Sequence, residues 1–200
     1  MGRKPESKER KKISAKVNKW LMQLLIDLQY ENLEQLTTDD IARIAGKSKS
    51  TIYQYFKSKE EVLTAACQIR ITVLMNALVQ LNEQNLSGVE RYTQLIEIFA
   101  EGTTGISIQF LQSIKQGYPS TWKVIDTFTN QYVALLEQHY EQGIKEGIYN
   151  PVSVELLSNL DKLFVIQVVT NPTIFTDDKY TVSNLIRDYL SLRLTGLLKR

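Results

Sequence analysis

Residues 36–61 read LTTDDIARIAGKSKSTIYQYFKSKEE, and this stretch decides the fold of the chain. It contains two short helical patterns separated by Gly46, and glycine is the residue type best suited to a left-handed turn after a helix. Ser48 is positioned to cap the second helix, and Ser58 with Glu61 has the spacing of a capping box that opens a third helix. A helix, a tight glycine turn and a short second helix are typical of a helix-turn-helix DNA reader.

The predicted second helix presents polar side chains that suit DNA, with no acid among them. These side chains are Lys49, Thr51, Tyr53, Gln54 and Tyr55. Glutamine can pair with adenine through two hydrogen bonds, whereas Thr, Tyr and Lys suit phosphates or single base atoms. Lys59 lies in the first turn of the next helix, where the helix dipole disfavours a cation, so we expect a phosphate opposite it. The alternative is an ordinary helical hairpin with a solvated polar face.

The pattern AxxAGxSxSTIYxYFxSKEE at residues 42–61 resembles the DNA-binding signature of the TetR family of bacterial transcriptional regulators. The preceding LEQLTTDDIA resembles that family's lead-in, and the likeness extends over about residues 13–81. Two residues depart from the family pattern: Lys47 stands where valine is common, and Asn32 where glycine is common. Asparagine tolerates the left-handed conformation that ends many helices. The resemblance implies that the DNA-facing positions are Thr38, Lys49, Ser50, Thr51, Tyr53, Gln54, Tyr55 and Lys59.

Composition limits the class of protein. The chain has 200 residues, of which 43% are hydrophobic, enough to form a core in one domain or two small ones. It has no run of about 18 apolar residues, so no transmembrane helix is expected, and no apolar stretch of a secretory signal follows the N terminus. Cys67 is the single cysteine, which is typical of a reducing cytoplasm. A cytoplasmic protein without membrane association is therefore expected.

Charge is distributed unevenly along the chain. Residues 1–60 contain thirteen Lys and Arg against eight Asp and Glu, a balance of +5, so the remaining residues carry −3 of the total of +2. A basic N-terminal third on a mildly acidic body is typical of a DNA-reading head joined to a body that does not bind DNA. Residues 1–12 are predicted to be a basic flexible arm, either only solubilising or placed along DNA phosphates or in the minor groove on binding.

Helical periodicity continues to the end of the chain, and no segment shows the alternating pattern of a strand. The predicted fold class is all-α. A helix-turn-helix DNA-binding domain is expected at residues 13–58, a connecting helix at 59–84, and a helical effector-binding and dimerisation domain at 85–200. Candidate helix starts in this last domain are Ser120, Asn150 followed by Pro151, and residues 176–178.

The last two predicted helices carry more apolar surface than one core needs. The C-terminal half of the first of these helices is surrounded almost completely by Leu163, Phe164, Val165, Ile166, Val168 and Val169. A second subunit would cover part of this surface, and the alternative is a central core helix within one monomer. The TetR resemblance favours a homodimer, because the last two helices of that family usually form a four-helix interface. A two-fold dimer would in turn bind a palindromic double-stranded operator.

Aromatic residues and residues with polar tips on the predicted inner faces suggest a pocket for an unidentified apolar or amphipathic effector. The candidates are Phe99, Phe110, Tyr118, Phe128, Tyr132, His139, Phe164 and Gln167. For each of them taken singly, ordinary core packing is the competing interpretation. His139 has no cysteine or carboxylate at ligand spacing, so neither a metal site nor a cofactor is expected.

These patterns favour a dimeric DNA-binding transcriptional regulator, a repressor that a small molecule releases from its operator. An enzyme that uses the helical body is the contrasting class. The sequence lacks a dinucleotide or phosphate loop, a zinc-protease motif and a nucleophile elbow, so no catalytic residue is assigned. A DNA-binding architectural protein without an effector is the remaining alternative, and an apolar pocket would separate it from the regulator.

Overall fold

The computed structural model describes residues 10–171 and 181–199. Within these ranges the chain is helical apart from loops and one isolated bridge between Tyr149 and Leu198, which confirms the all-α fold class. The helices are α1 (Ala15–Asp27), α2 (Thr38–Ile44), α3 (Lys49–Tyr55), α4 (Lys59–Asn82), α5 (Gly88–Gly102), α6 (Ile108–Gly117), α7 (Pro119–Lys145), α8 (Val154–Thr170) and α9 (Val182–Leu197).

The turn between α2 and α3 has the geometry that its sequence predicts. Gly46 has a φ of 61°, in the left-handed region that glycine enters without strain. The side chain of Ser48 accepts a hydrogen bond from the Thr51 N–H and caps α3. A capping box that the sequence analysis did not single out begins α2, where Thr37 and Asp40 exchange bonds between side chain and backbone.

Four local predictions differ from the structure. Ser58 caps α4, but the Glu61 carboxylate accepts from the Lys57 N–H, so the predicted reciprocal box is only half formed. Asn32 is not left-handed, since no described non-glycine residue has positive φ; its side chain instead accepts from the Glu34 N–H and forms a turn. The predicted caps Ser120 and Asn150 are not helix caps: α7 begins at Pro119 and α8 at Val154, after Ser153. The predicted start at residues 176–178 lies outside the described residues.

Asn150 does not cap a helix because it binds the C-terminal end of α9, which lies beside it. Its backbone N–H donates to the Leu197 carbonyl at 2.8 Å, and its side-chain amide donates to the Leu198 carbonyl at 3.1 Å. These bonds fix the loop before α8 against the end of α9.

The connecting helix α4 joins two halves of the molecule. We call α1–α3 with the first two turns of α4 the head, and α5–α9 the body. Helix α4 packs against α1 in the head and against α5 and α7 in the body. By length and composition α4 could cross a membrane, the only such helix in the described ranges, with a mean hydropathy of 1.7 in its most apolar window. Val62, Leu63 and Ala66 of α4 are completely buried in the core, and 33% of the most apolar window is buried.

Candidate DNA interface and effector cavity

The exposed face of α3 contains four of the predicted DNA-facing residues. Lys49, Ser50, Tyr53 and Gln54 are all exposed, whereas Ile52 is completely buried beneath them. This arrangement follows from helical spacing, because residues four apart lie on the same face. The structure therefore brings one amide, one cation and two hydroxyls onto one continuous surface.

Thr38, Thr51 and Tyr55 lie at the margins of that surface, and each is partly buried. The Thr51 hydroxyl lies 2.8 Å from the Ser48 hydroxyl, and the Tyr55 ring packs against the core 6.1 Å from the ring of Phe56. In the free protein Thr51 therefore contacts the cap of α3, and Tyr55 packs against the core.

Lys49 has an acidic neighbour that the sequence of α3 alone does not reveal. Its Nζ donates to a carboxylate oxygen of Asp39 in α2 at 2.7 Å, and this hydrogen bond raises the pKa of Lys49. Both side chains are more than half exposed, so the pair is solvent-screened. The polar face is free of acids along α3, but an acid of α2 lies directly beside it.

Lys59 does not face the surface of α3 in this structure. Its Nζ donates to the carbonyl oxygens of Leu33 at 2.6 Å and Leu36 at 2.7 Å, and it lies 5.2 Å from the ring centre of Tyr118. Two backbone acceptors and an aromatic face offset the unfavourable position at the start of α4. The expected phosphate contact is therefore not needed to explain this cation, and Lys59 instead joins the α1–α2 loop to the body.

The described end of the basic arm lies beside α3. The Lys11 N–H donates to the Gln54 carbonyl at 3.1 Å, and Arg10 lies 3.8 Å from the Glu61 carboxylate. The bond to Gln54 places Lys11 next to the last turn of α3. Residues 1–9 of the predicted arm lie outside the described residues.

An apolar cavity of about 110 Å³ lies in the body against the DNA-binding head. Its aromatic wall consists of Phe99, Phe110, Trp122, Phe128 and Phe164. Leu25 of α1 and Cys67, Arg70, Ile71 and Leu74 of α4 complete the side that faces the head. A smaller chamber of about 20 Å³ shares Phe99 and Phe164 with it and also contacts Tyr132 and Asp161.

Four predicted pocket residues do not line this cavity: Tyr132 lines only the smaller chamber, and the other three lie outside both. The hydroxyl of Tyr118 donates to the Leu33 carbonyl at 2.6 Å, and Gln167 is exposed on α8. His139 is buried in a separate part of the body, where its Nε2 lies 2.6 Å from the Tyr149 hydroxyl and its ring stacks on Tyr92. Burial lowers the pKa of His139 to about 4, so the ring is neutral at pH 7.

Five hydrogen bonds between four residue pairs join the head to the body. Ser107, the cap of α6, donates its N–H to the Gln29 side chain and its hydroxyl to the Gln29 carbonyl at 2.9 Å. Tyr118, at the other end of α6, holds the Leu33 carbonyl. The remaining contacts join the Ser120 N–H to Glu60 at 2.7 Å and the hydroxyls of Thr64 and Thr121 at 2.8 Å. Both ends of α6, whose Phe110 and Leu111 line the cavity, are thus bonded to the head.

The model of the bacterial regulatory proteins of the tetR family matches residues 29–66, the segment that contains the whole of α2 and α3. Residues 29–66 are therefore similar to the tetR family of bacterial regulatory proteins. The uncharacterized HTH-type transcriptional regulator YvaF from Bacillus subtilis is 24% identical over 101 residues, which are 50% of this chain and 53% of that relative. The match therefore spans about half the length of this relative.

Two solved structures extend the likeness to the body. The fatty acid degradation regulator FadR from Bacillus halodurans is 23% identical, with 95% of this chain and 100% of that chain covered and a TM-score of 0.66. The transcriptional regulator FadR from Bacillus subtilis, in complex with stearoyl-CoA, is 20% identical, with 89% and 98% covered and a TM-score of 0.66. At these identities the likeness shows the fold.

The body has an uncovered apolar stripe on α8. Leu156, Leu160 and Leu163 recur at helical spacing with 53%, 40% and 53% of their surface exposed, and Leu192 of α9 is 74% exposed. Val165 and Phe164, which the sequence assigned to the same apolar surface, line the cavity instead. The excess apolar surface of α8 is thus divided between the cavity and the outside of the body.

A buried polar network behind that stripe was missed by the sequence analysis. Asp161 is 3% exposed and accepts hydrogen bonds from Tyr140, Tyr189 and Arg193 at 2.7–3.0 Å. The four residues come from α7, α8 and α9 and are up to 53 positions apart (193 minus 140). No local pattern reveals such a cluster, although an acid within an otherwise apolar helical segment is a weak signal.

Proposed function

We propose that this chain is a cytoplasmic, homodimeric transcriptional repressor, which binds a palindromic operator through α3 and is released when a small apolar or amphipathic molecule fills the cavity. The observation that carries the proposal is the position of the cavity. Its wall includes Leu25 of α1 and four residues of α4, so a bound molecule would contact the DNA-binding head directly.

The residues of α3 suit distinct roles on DNA. Gln54 is exposed and can read an adenine edge through its amide, while Lys49, Tyr53 and Ser50 can bind phosphates. Thr38, Thr51 and Tyr55 would position α3 and contact the backbone at its margins. Arg10 and Lys11 place the arm beside the same helix, where it would add affinity that does not depend on sequence.

A dimer of this chain would use the stripe of Leu156, Leu160 and Leu163 together with Leu192 of α9. Exposed leucines at one helical spacing are costly in water, and a second copy of the same stripe would bury them. The dimer would then carry two α3 helices, which must lie about 34 Å apart to enter successive major grooves.

The contacts at both ends of α6 would link ligand binding to release of the protein from DNA. A cavity of about 150 Å³ holds one benzene ring, so the present volume of about 110 Å³ is too small for a long chain. A larger molecule must therefore push the walls apart, and α6 forms part of those walls. Because α6 is bonded to Gln29 and Leu33, its displacement would move the head. Stearoyl-CoA in the FadR of Bacillus subtilis is consistent with an apolar chain as the effector class.

An architectural protein without an effector is the competing function. An apolar cavity would only lower the stability of such a protein, because the atoms that line an empty space lose packing contacts. The cavity between α4, α5, α6, α7 and α8 therefore favours the regulator.

Selection from random-sequence DNA with the full chain tests the proposal. We expect enrichment of paired, inverted half-sites, and we expect Gln54→Ala to relax the preference at one base pair by about 1–3 kcal/mol. Enrichment of single half-sites would contradict the dimeric reader. In a second step, Val165→Trp should fill the cavity and leave operator binding unchanged while it removes release by apolar molecules.

A further inference from the structure

Arg70 is the only charged residue on the wall of the apolar cavity, within the part of the chain that the structure describes. It lies on α4 at the junction with α5, and its side chain is partly buried. Burial lowers the pKa of its guanidinium, with no contribution from a neighbouring acid. Partly buried cations are ordinarily paired with a carboxylate, and no carboxylate lies within 4.0 Å of this one among residues 10–171 and 181–199.

The guanidinium is held in place from one side only. Nε donates to the Gly102 carbonyl at 2.8 Å, and Nη2 donates to the carbonyls of Thr104 at 2.8 Å and Glu101 at 3.3 Å. The third nitrogen, Nη1, has no acceptor in the described chain. A planar guanidinium fixed by three carbonyls, with one edge open, is preorganised to receive an anionic oxygen.

The other polar groups on the wall are already occupied. The Thr103 hydroxyl donates to the carbonyls of Phe99 and Ala100, and the Thr129 hydroxyl donates to the Ile125 carbonyl. Burial raises the pKa of the Cys67 thiol to about 12, so this group stays neutral. The polar end of an amphipathic ligand would therefore find its complement at Arg70 and nowhere else on the described wall.

We propose that Arg70 is the anchor for the carboxylate of a single-chain amphiphile whose apolar tail enters the cavity along Phe99, Phe128 and Trp122. This inference rests on the proposed function and names the chemical class of its effector. The carboxylate would lie at the partly exposed rim and the tail in the dry interior, which matches the polarity of each region. A neutral ester or thioester of the same acid would have no charge to pair with Arg70.

The test uses the fluorescence of Trp122, which lines the cavity, in the full chain with Trp20→Phe in the background. The probes are an undecanoate with a terminal bromine, which quenches tryptophan on contact, and its methyl ester. We expect the acid to bind at least about tenfold more tightly than the ester, since a hydrogen bond to a charged group contributes this much. Arg70→Gln should abolish the preference while ester binding changes by less than about threefold, and Arg70→Lys should retain part of it.

Arg91→Gln is the matched control, because Arg91 binds the Leu81 and Gln84 carbonyls at the end of α4 much as Arg70 binds those at the end of α5. Arg91 does not line the apolar cavity, so this variant should keep the preference for the acid. If Arg70 only caps α5, Arg70→Gln will bind acid and ester as the wild type does, and the proposal is wrong. Equal binding of acid and ester by the wild type would refute Arg70 as a carboxylate anchor. It would not contradict an apolar effector. If neither probe quenches Trp122, both the anchor and the proposed effector class fail.

Discussion

Asp39 and Lys49 form an ion pair on the surface that we assign to DNA, and the pair sets a limit on affinity. The two side chains are 2.7 Å apart, so Lys49 must exchange Asp39 for a phosphate on binding. Asp39→Asn should therefore tighten operator binding by about two- to fivefold at low salt, with a smaller gain as salt rises. Fluorescence anisotropy over a salt series measures both effects.

Glu141→Gln is the control for Asp39→Asn, because it changes the net charge equally at an exposed site of α7 in the body. An equal gain in affinity for both variants would attribute the effect to total charge and not to the pair.

His139 makes the stability of the body depend on pH. Its pKa is lowered to about 4 by burial, while the unfolded chain titrates near 6.5. Between these values the unfolded state binds the additional proton, so stability is greatest above pH 6.5 and falls as the pH approaches 4, by about 3 kcal/mol in total. Urea unfolding at pH 7.0 and 5.0, at one protein concentration, measures most of this loss.

His139→Asn should flatten that pH dependence, because the chain contains one histidine. Hydrogen bonds from Ser87 lower the pKa of Glu90 below its ordinary value. Carboxylates of this kind therefore gain a proton at a lower pH than His139 does in the unfolded chain, and they add little to a change between pH 7.0 and 5.0. An unchanged slope in His139→Asn would show that another group is responsible.

At the scale of single residues, the sequence predicted those features that depend only on residues nearby in the chain. The cap Ser48, the turn Gly46 and the exposed face of α3 all depend on residues within a few positions. The contacts of Lys59 with the Leu33 and Leu36 carbonyls were not foreseen, because these partners are more than twenty positions away. The carbonyls around Arg70 are also more than thirty positions away, and the acid beside Lys49 lies on a different helix, so neither was foreseen.

At the scale of elements, α7 ends against a ring that leaves no room for a side chain. A Cβ at Gly143 would lie 2.1 Å from ring atoms of the completely buried Tyr149, whereas a Cβ at Gly117 of α6 would meet nothing within 4 Å. Gly143→Ala should destabilise the protein by about 1–3 kcal/mol through overpacking, despite the better helix propensity of alanine. Gly117→Ala, as the control, should be neutral or stabilise by up to about 1 kcal/mol. Chemical denaturation compares the two, and stabilisation by both would show that Tyr149 can move aside.

The stripe on α8 allows a direct test of the dimer. Leu163→Glu would place an unpaired charge in the apolar contact between subunits, and we expect a monomer at micromolar concentrations by analytical ultracentrifugation. Val79→Glu is the control, because Val79 is 56% exposed on α4, away from this stripe. A Leu163→Glu variant that stays dimeric, or a wild type that is monomeric, would refute the interface.

Helix existence was predictable from apolar periodicity, but helix beginnings in the body were not. Ser120 has the residue type of a cap, yet its N–H binds Glu60 of the head, and the helix begins one residue earlier at Pro119. The apolar excess of α8 was also visible in the sequence. Its division between a cavity and an outer stripe was not, because that depends on how α8 is rotated against α6 and α7.

At the scale of the whole molecule, the apolar cavity and the surface of α3 are coupled only if one conformational equilibrium affects both. The contacts that would carry it are the bonds of α6 to the head, from Ser107 to Gln29 and from Tyr118 to Leu33. An effector can lower operator affinity only by the ratio of its own affinities for the DNA-free and the DNA-bound shapes. A coupling of about 1–3 kcal/mol corresponds to about 5–150-fold release.

Because such coupling is reciprocal, saturating operator DNA should weaken binding of the bromine-tagged undecanoate at Trp122 by the same factor by which the undecanoate weakens operator binding. Tyr118→Phe removes the hydroxyl that holds Leu33 and should reduce both factors equally, while the affinity for the free undecanoate in the absence of DNA stays within about twofold. Titrations of quenching with and without operator, paired with anisotropy titrations with and without the undecanoate, provide the four affinities. A ligand affinity that is indifferent to operator would rule out release through this cavity, even for a molecule that fills it.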